Sequence, residues 1–368
     1  MKTITYKLIF LLAILPAVTF ASDFTGSGGM NGRHTKQKKV SKTFNVSDND
    51  LLKIDNSYGN IDISTWDKNT VSIEVLIKTN GDDEDKVRQK LEDIHIEFDQ
   101  SSGMLSAITH FSKKQDRSWW EMLFSDSNNV NMEVNYIIKA PVTNSVDLSN
   151  DYGNIYLDKL KGNSKISCDY GSIDIGELHG NSNRISFDYS RNSHFGFINK
   201  AIISADYSEF TIDDANAIDL SADYTDSKFR KVEQLKFNCD YGSLTIEKVK
   251  RLNGSGDYLN TKIGQIHQNA DLNFDYGSVS IDKVIKGAGD ISLNTDYTGV
   301  KIGYAADQAF NFNVSTSYGG VKGMDELEVN KQNTSASDKS YSGYYLNASS
   351  GNTIKINASY GSVSFRKN

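Results

Sequence analysis

The chain has 368 residues, of which 24% are charged, with a formal net charge of −7 at pH 7 and only two cysteines. That mild acidity offers no basic stripe for nucleic acid, so nucleic acid is not an expected partner. After residues 1–21 no apolar stretch approaches the roughly 20 residues that a membrane span needs.

Residues 1–21 open with Lys2 and Lys7, run through the apolar stretch of residues 8–15 and end on small residues around Ala21 and Ser22. This is the pattern of a secretory signal peptide, and it predicts an exported chain in the periplasm, on the outer-membrane surface or outside the cell. No cysteine stands near the cleavage point, so the acylated cysteine of a bacterial lipoprotein is absent. Residues 22–44 are Gly/Ser-rich at first and then basic, from Arg33 to Lys42, and read as a flexible, solvated tail.

Residues 45–145 read as a β-rich N-terminal cap. Strand-like runs fall at residues 71–77, 94–98, 104–111 and 130–139, and a short helix at 82–93 places Val87, Leu91 and Ile94 on one side. Trp119, Trp120 and Phe124 form the densest aromatic patch of this part. Such a patch commonly packs beneath a cap, but exposed it marks a contact site for a partner, glycan or membrane, which makes it the first candidate for binding.

From residue 146 to 368 the chain repeats. Tyrosines, mostly preceded by Asp, recur at Tyr152, Tyr170, Tyr189, Tyr207, Tyr224, Tyr241, Tyr258, Tyr276, Tyr297 and Tyr318, with related copies at Tyr58 and Tyr360. Four residues before them stand Leu148, Ile166, Ile185, Ile203, Leu220, Phe237, Leu272, Leu293 and Val314, and only Gly254 breaks that column. Apolar residues return three and five places after the tyrosine, as at Ile155 and Leu157 or Ile173 and Ile175. The period of two before the tyrosine predicts a strand whose −4, −2 and 0 positions face inward. The slip afterwards predicts a bend at the glycine that follows. A unit this short cannot bury its apolar face alone, so the repeats must stack. The predicted fold is all-β: a right-handed parallel β-helix, or solenoid, of about ten or more coils, with an irregular segment at 324–345 protecting its far end.

The repeat fixes the candidate sites. Asp151, Asp169, Asp188, Asp206, Asp223, Asp240, Asp257, Asp275 and Asp296 form one outward column. Like charges stacked every ~5 Å need compensation. Hydrogen bonds to turn amides are the favoured source and Ca²⁺ the lesser one, so no cofactor is expected. The tyrosines are expected as an internal stack, the alternative being an exposed strip suited to sugar rings. Cys168 and Cys239, four repeats apart, are too distant for a disulfide and are predicted to be free and buried. His34, His95, His110, His179, His194 and His267 show no zinc spacing, and no nucleophile elbow or phosphate loop is present. The main irregularity of the repeat is Arg191 to His194 beside Asp188.

The units Asn56-Ser-Tyr-Gly-Asn-Ile-Asp-Ile63, Val134-Asn-Tyr-Ile-Ile-Lys-Ala-Pro141 and Cys168-Asp-Tyr-Gly-Ser-Ile-Asp-Ile175, behind a signal peptide, resemble those of the bacterial putative-adhesin domains of the cell envelope. That resemblance implies a right-handed β-helix and an envelope or surface role without assigned catalytic residues. The near-constant Asp-Tyr departs from that family, which more often carries small or hydroxyl residues before the glycine. The expectation is a non-enzymatic exported protein with an adhesin-like binding or scaffold role and an envelope or surface partner, glycan or protein. The alternative is a polysaccharide lyase or hydrolase, which needs a local cluster of acids and a base.

Overall fold

A computed structural model of the chain describes residues 30–112 and 130–368. The segment 1–21, expected to be a signal peptide, and the aromatic patch Trp119, Trp120 and Phe124 lie outside the described residues. Among those described, the chain is all-β: twenty-five strands in one hydrogen-bonded sheet, and a single helix. No described helix is long and apolar enough to cross a membrane.

Each repeat contributes two strand segments, and each segment pairs in parallel with its counterpart in the next repeat. Before the tyrosine the register runs Leu148, Ile166, Ile185, Ile203, Leu220, Phe237, Gly254, Leu272, Leu293, one beside the next. After it runs Ile175, Phe195, Ile212, Phe229, Ile246, Ile263, Ile281, Ile302. These columns are the core, each residue other than Gly254 being at most 2% exposed, and burying one such side chain stabilises by about 1.5–3 kcal/mol. The column six places before the tyrosine, including Ile218, Leu235 and Leu252, is buried as well.

Gly254 breaks its column for a steric reason. A Cβ there would lie 2.4 Å from Cδ1 of Phe237, whose ring lies 6.0 Å from that of Phe274. The missing side chain is the room that one phenyl ring takes from the rung above it.

The order of rungs in space differs from the order in sequence at both ends. The unit around Tyr58, expected in the cap, is a rung of the stack: Leu51–Ser57 pairs with Ser145–Asp151, and Ile61–Trp66 with Ile155–Leu160. Its other side is taken by Met104–Phe111 and Val130–Pro141, also in parallel. At the far end the final segments, Thr353–Ser359 and Val363–Lys367, lie between Ile291–Tyr304 on one side and Phe310–Ser317 and Val321–Lys322 on the other.

Antiparallel strands cover both ends. His34–Asn45 lies along Thr70–Gly81 for its whole length. The basic segment expected as a mobile tail is therefore an ordered strand from His34 onward, with Lys36 paired to Glu84 at 2.6 Å and Lys39 to Glu74 at 2.7 Å. Segment 324–345, expected to be irregular, carries the hairpin of Glu328–Thr334 and Asp338–Tyr345, laid antiparallel on Phe310–Ser317. The helix, Glu84–Asp93, starts on Asp83, whose carboxylate accepts from the N–H groups of Asp85 and Lys86, and it buries Val87.

Candidate binding face

The tyrosines do not point inward. All twelve adopt left-handed backbone, with φ between 46° and 64°, and the reversed local geometry turns each side chain out of the strand's alternation at the corner. Eleven of them are exposed, from 40% at Tyr152 to 67% at Tyr318, and Tyr58, beside Phe111, is only partly exposed. The bend thus sits on the tyrosine and not on the residue after it.

Except at Leu259, that following residue closes the corner in one of two ways. Where it is glycine the next rung passes too close for a side chain: a Cβ on Gly171 would meet the Gly153 carbonyl oxygen at 1.9 Å. Where it is Ser190, Thr225 or Thr298, the hydroxyl turns in and donates to the backbone carbonyl of the aspartate two residues before, at 3.1, 2.9 and 2.8 Å. From Tyr58 to Tyr258 each corner is also tied to the next by a tyrosine N–H donating to an aspartate carbonyl, as from Tyr170 to Asp188 at 3.0 Å and from Tyr224 to Asp240 at 2.9 Å.

The rings form one ladder: Tyr58, Tyr152, Tyr170, Tyr189, Tyr207, Tyr224, Tyr241, Tyr258, Tyr276, Tyr297, Tyr360, Tyr318. Successive centroids are 4.7–5.3 Å apart and successive planes 1–7° from parallel. At one end the Phe111 ring meets Tyr58 edge-on at 5.9 Å. A left-handed non-glycine residue costs roughly 1–2 kcal/mol, and an aromatic pair returns about 0.5–1.5 kcal/mol. Stacking therefore offsets the strain, and the ladder is held at little net cost. Desolvation, then the neighbouring phenols, then the adjacent aspartates push the Tyr170, Tyr207 and Tyr241 hydroxyls above their ordinary pKa.

The nine aspartates form the column beside the ladder. Asp169, Asp188, Asp206 and Asp240 each accept a hydrogen bond from the backbone N–H of the aspartate one rung on, at 2.9–3.3 Å. Asp296 instead accepts from the N–H of Tyr297 at 3.2 Å. Their partner is mostly the next rung rather than the local turn. Desolvation first, and flanking aspartates second, raise the pKa of Asp151, Asp188, Asp223 and Asp257. Among the described residues no group of three or more His, Cys, Asp or Glu is placed to hold a metal ion.

Cys168 and Cys239 are free and buried, and desolvation pushes both thiols up to about 12. His194 does not join Asp188: its Nδ1 lies 3.3 Å from Asp174 Oδ1 and its Nε2 3.0 Å from Asp213 Oδ2, with Arg230 on the far oxygen of Asp213 at 3.3 Å. A groove of about 760 Å³ that the sequence did not reveal runs across several rungs, its lining including Lys200, Lys236 and Arg251 and Asp219, Asp271 and Asp290.

No family model matches the sequence, and no curated protein matches it. Solved structures do. One described as a putative adhesin from Parabacteroides merdae is 10% identical at a TM-score of 0.36, covering 91% of this chain and 98% of its own. A putative adhesin from Parabacteroides distasonis is 10% identical at a TM-score of 0.32, covering 92% and 98%. A putative cell adhesion protein from Clostridium sporogenes is 8% identical at a TM-score of 0.20, covering 90% and 100%. These similar structures carry the name of the putative-adhesin family that the repeat units resemble.

Proposed function

We propose that this chain is a non-enzymatic, exported envelope or surface protein, a right-handed parallel β-helix that presents its tyrosine ladder to a partner in an adhesin-like or scaffolding role. The observation that carries the reading is the ladder: twelve stacked rings in one unbroken row, eleven of them exposed, each in a strained backbone conformation. An exposed apolar strip of that extent on a monomer marks an interaction surface. The repeated parallel register supports the β-helix, and the leader sequence supports export. A polysaccharide lyase or hydrolase would have its place in the groove, but Asp219, Asp271 and Asp290 come from three different repeats and Asp219 is paired with Lys236 at 3.7 Å.

The test compares the wild-type chain with the triple variant Tyr207→Asn, Tyr224→Asn, Tyr241→Asn in binding to bacterial cells and to a glycan array. Asparagine tolerates left-handed backbone, so the fold is kept while three central rings are removed. Loss of binding in the variant is the expected result. Equal binding by both would place the binding face elsewhere, and release of unsaturated sugars by the wild type would favour the lyase.

A further inference from the structure

We infer that the partner of the ladder is a second copy of this chain, the two ladders packing side by side about a two-fold axis parallel to them. This deepens the reading above and rests on it.

The ring spacing selects the partner. Every interior ring has a neighbour on both faces at 4.7–5.3 Å, so sugar rings and cations have no open aromatic face to stack on except at Tyr318. What the ladder offers is ring edges and hydroxyls at a fixed repeat. Adjacent β-strands lie about 4.7–4.9 Å apart, so another stack of strands matches it rung for rung over its whole length. An extended peptide presents same-side side chains every ~6.7 Å and falls out of step within a few rungs.

The area is that of a stable interface. An aromatic side chain has roughly 150–250 Å² to bury, so the eleven exposed rings, each about half accessible, offer on the order of 1,000 Å², against about 800 Å² per partner in a standard complex. Each ring is already fixed by its neighbours, so little rotamer entropy is lost on pairing. The aspartate column sets the direction. A two-fold axis across the ladders would place the two acidic columns opposite each other, and like charges so placed are destabilising. An axis along the ladders leaves them on the two outer sides of the seam, with the chains running the same way.

Sedimentation velocity on the full chain, purified after export, tests this. The expected result is a doubling of mass with rising concentration, strengthened by salt as the acidic columns are screened, and absent from the Tyr207→Asn, Tyr224→Asn, Tyr241→Asn variant at unchanged circular dichroism. Fluorophores attached through Ser349→Cys, at the Tyr318 end, transfer energy in a parallel dimer, whereas efficient dimerisation without transfer overturns the orientation. A wild-type chain that stays monomeric throughout, or a variant that dimerises equally, overturns self-pairing. If the monomeric wild type still binds cells through its ladder, the proposed function stands and only its partner changes. If the variant binds cells equally well, the proposed binding role of the ladder falls, and self-pairing stands or falls on the sedimentation result alone.

Discussion

Tyr297 stacks on Tyr360 at 4.7 Å with the rings 3° from parallel, although Tyr318 follows it in the ladder by sequence. The chain lays down the outer rung first, in Phe310–Ser317, and returns at its end to fill the gap with Thr353–Ser359. The last rung is thus a wedge that joins the body of the stack to its terminal hairpin.

Removing residues 352–368 should therefore damage more than an end. Ile354, Ile356, Val363 and Phe365 are buried there, at about 1.5–3 kcal/mol each, and their loss opens strand edges on both sides of the gap, which invite aggregation. A large fall in melting temperature and aggregation by size-exclusion chromatography are expected. A truncated chain that melts like the full one would mean that the wedge is dispensable.

The tyrosine corners can be examined at Tyr224, which has φ of 52° and stacks on Tyr207 and Tyr241 at 4.8 Å on each side. Tyr224→Gly loses two stacking contacts but relieves the strain, so the balance is within about 1 kcal/mol of zero. Tyr224→Val loses the stacking and keeps the strain in a β-branched residue, so it should cost at least about 2 kcal/mol. Urea denaturation orders the two variants, and a valine variant as stable as the glycine one would refute the account of the corner.

The same corners show what the sequence made legible. Repetition and the −4, −2, +3 and +5 columns are properties of spacing alone, and they appear in the structure as read. The inward tyrosine was wrong because alternation was carried one residue too far, to a position where the backbone has already reversed. The clue was present: the residue after the tyrosine varies among Gly, Ser190, Ser208, Thr225, Leu259 and Thr298 while the tyrosine never does, so the tyrosine and not the glycine defines the corner. The exchange of rungs at both ends was not legible, because near-identical repeats have no local mark of which neighbour they pair with. Nor was the groove, whose lining is drawn from several repeats at once.

The aspartate column should not need calcium. Ca²⁺ takes six to eight oxygens, whereas each rung supplies one carboxylate, and several of these already accept a neighbouring N–H. Calorimetric titration with calcium is expected to show no saturable heat, and chelator to leave the melting temperature unchanged. A chelator-induced fall would make the column a metal-stabilised element.

Cys168 and Cys239 should be inert in the folded chain. With both thiols buried and pushed up to about 12, almost no thiolate exists at neutral pH, and the thiolate is the reacting form. A thiol reagent should label neither in buffer and both in denaturant. Labelling of either in the native state would show that the rungs around it open.

Stability should fall as pH rises, the reverse of ordinary acid denaturation. Asp151, Asp188, Asp223 and Asp257 have folded pKa values above 3.8, so the fold favours their protonated forms; that stability is fully present below 3.8 and is lost as pH rises through the raised values. His194 acts in the same direction in a higher window. Partial burial pulls its pKa down, but the hydrogen bonds to Asp213 and Asp174 outweigh this and hold it above 6.5, so its contribution is complete below 6.5 and disappears above the raised value. Glu84, Glu177 and Asp338 oppose this, since their lowered values give stability that is lost on acidification. They are exposed and screened, and so are Asp151, Asp223 and Asp257, so the net trend rests mainly on the half-buried Asp188 and His194. The melting temperature should therefore decline between about pH 4 and pH 8. Asp188→Asn with Asp223→Asn should flatten the acid part of the curve and His194→Gln the neutral part. A melting temperature that climbs over this range would show that the column is compensated by contacts other than those between its rungs.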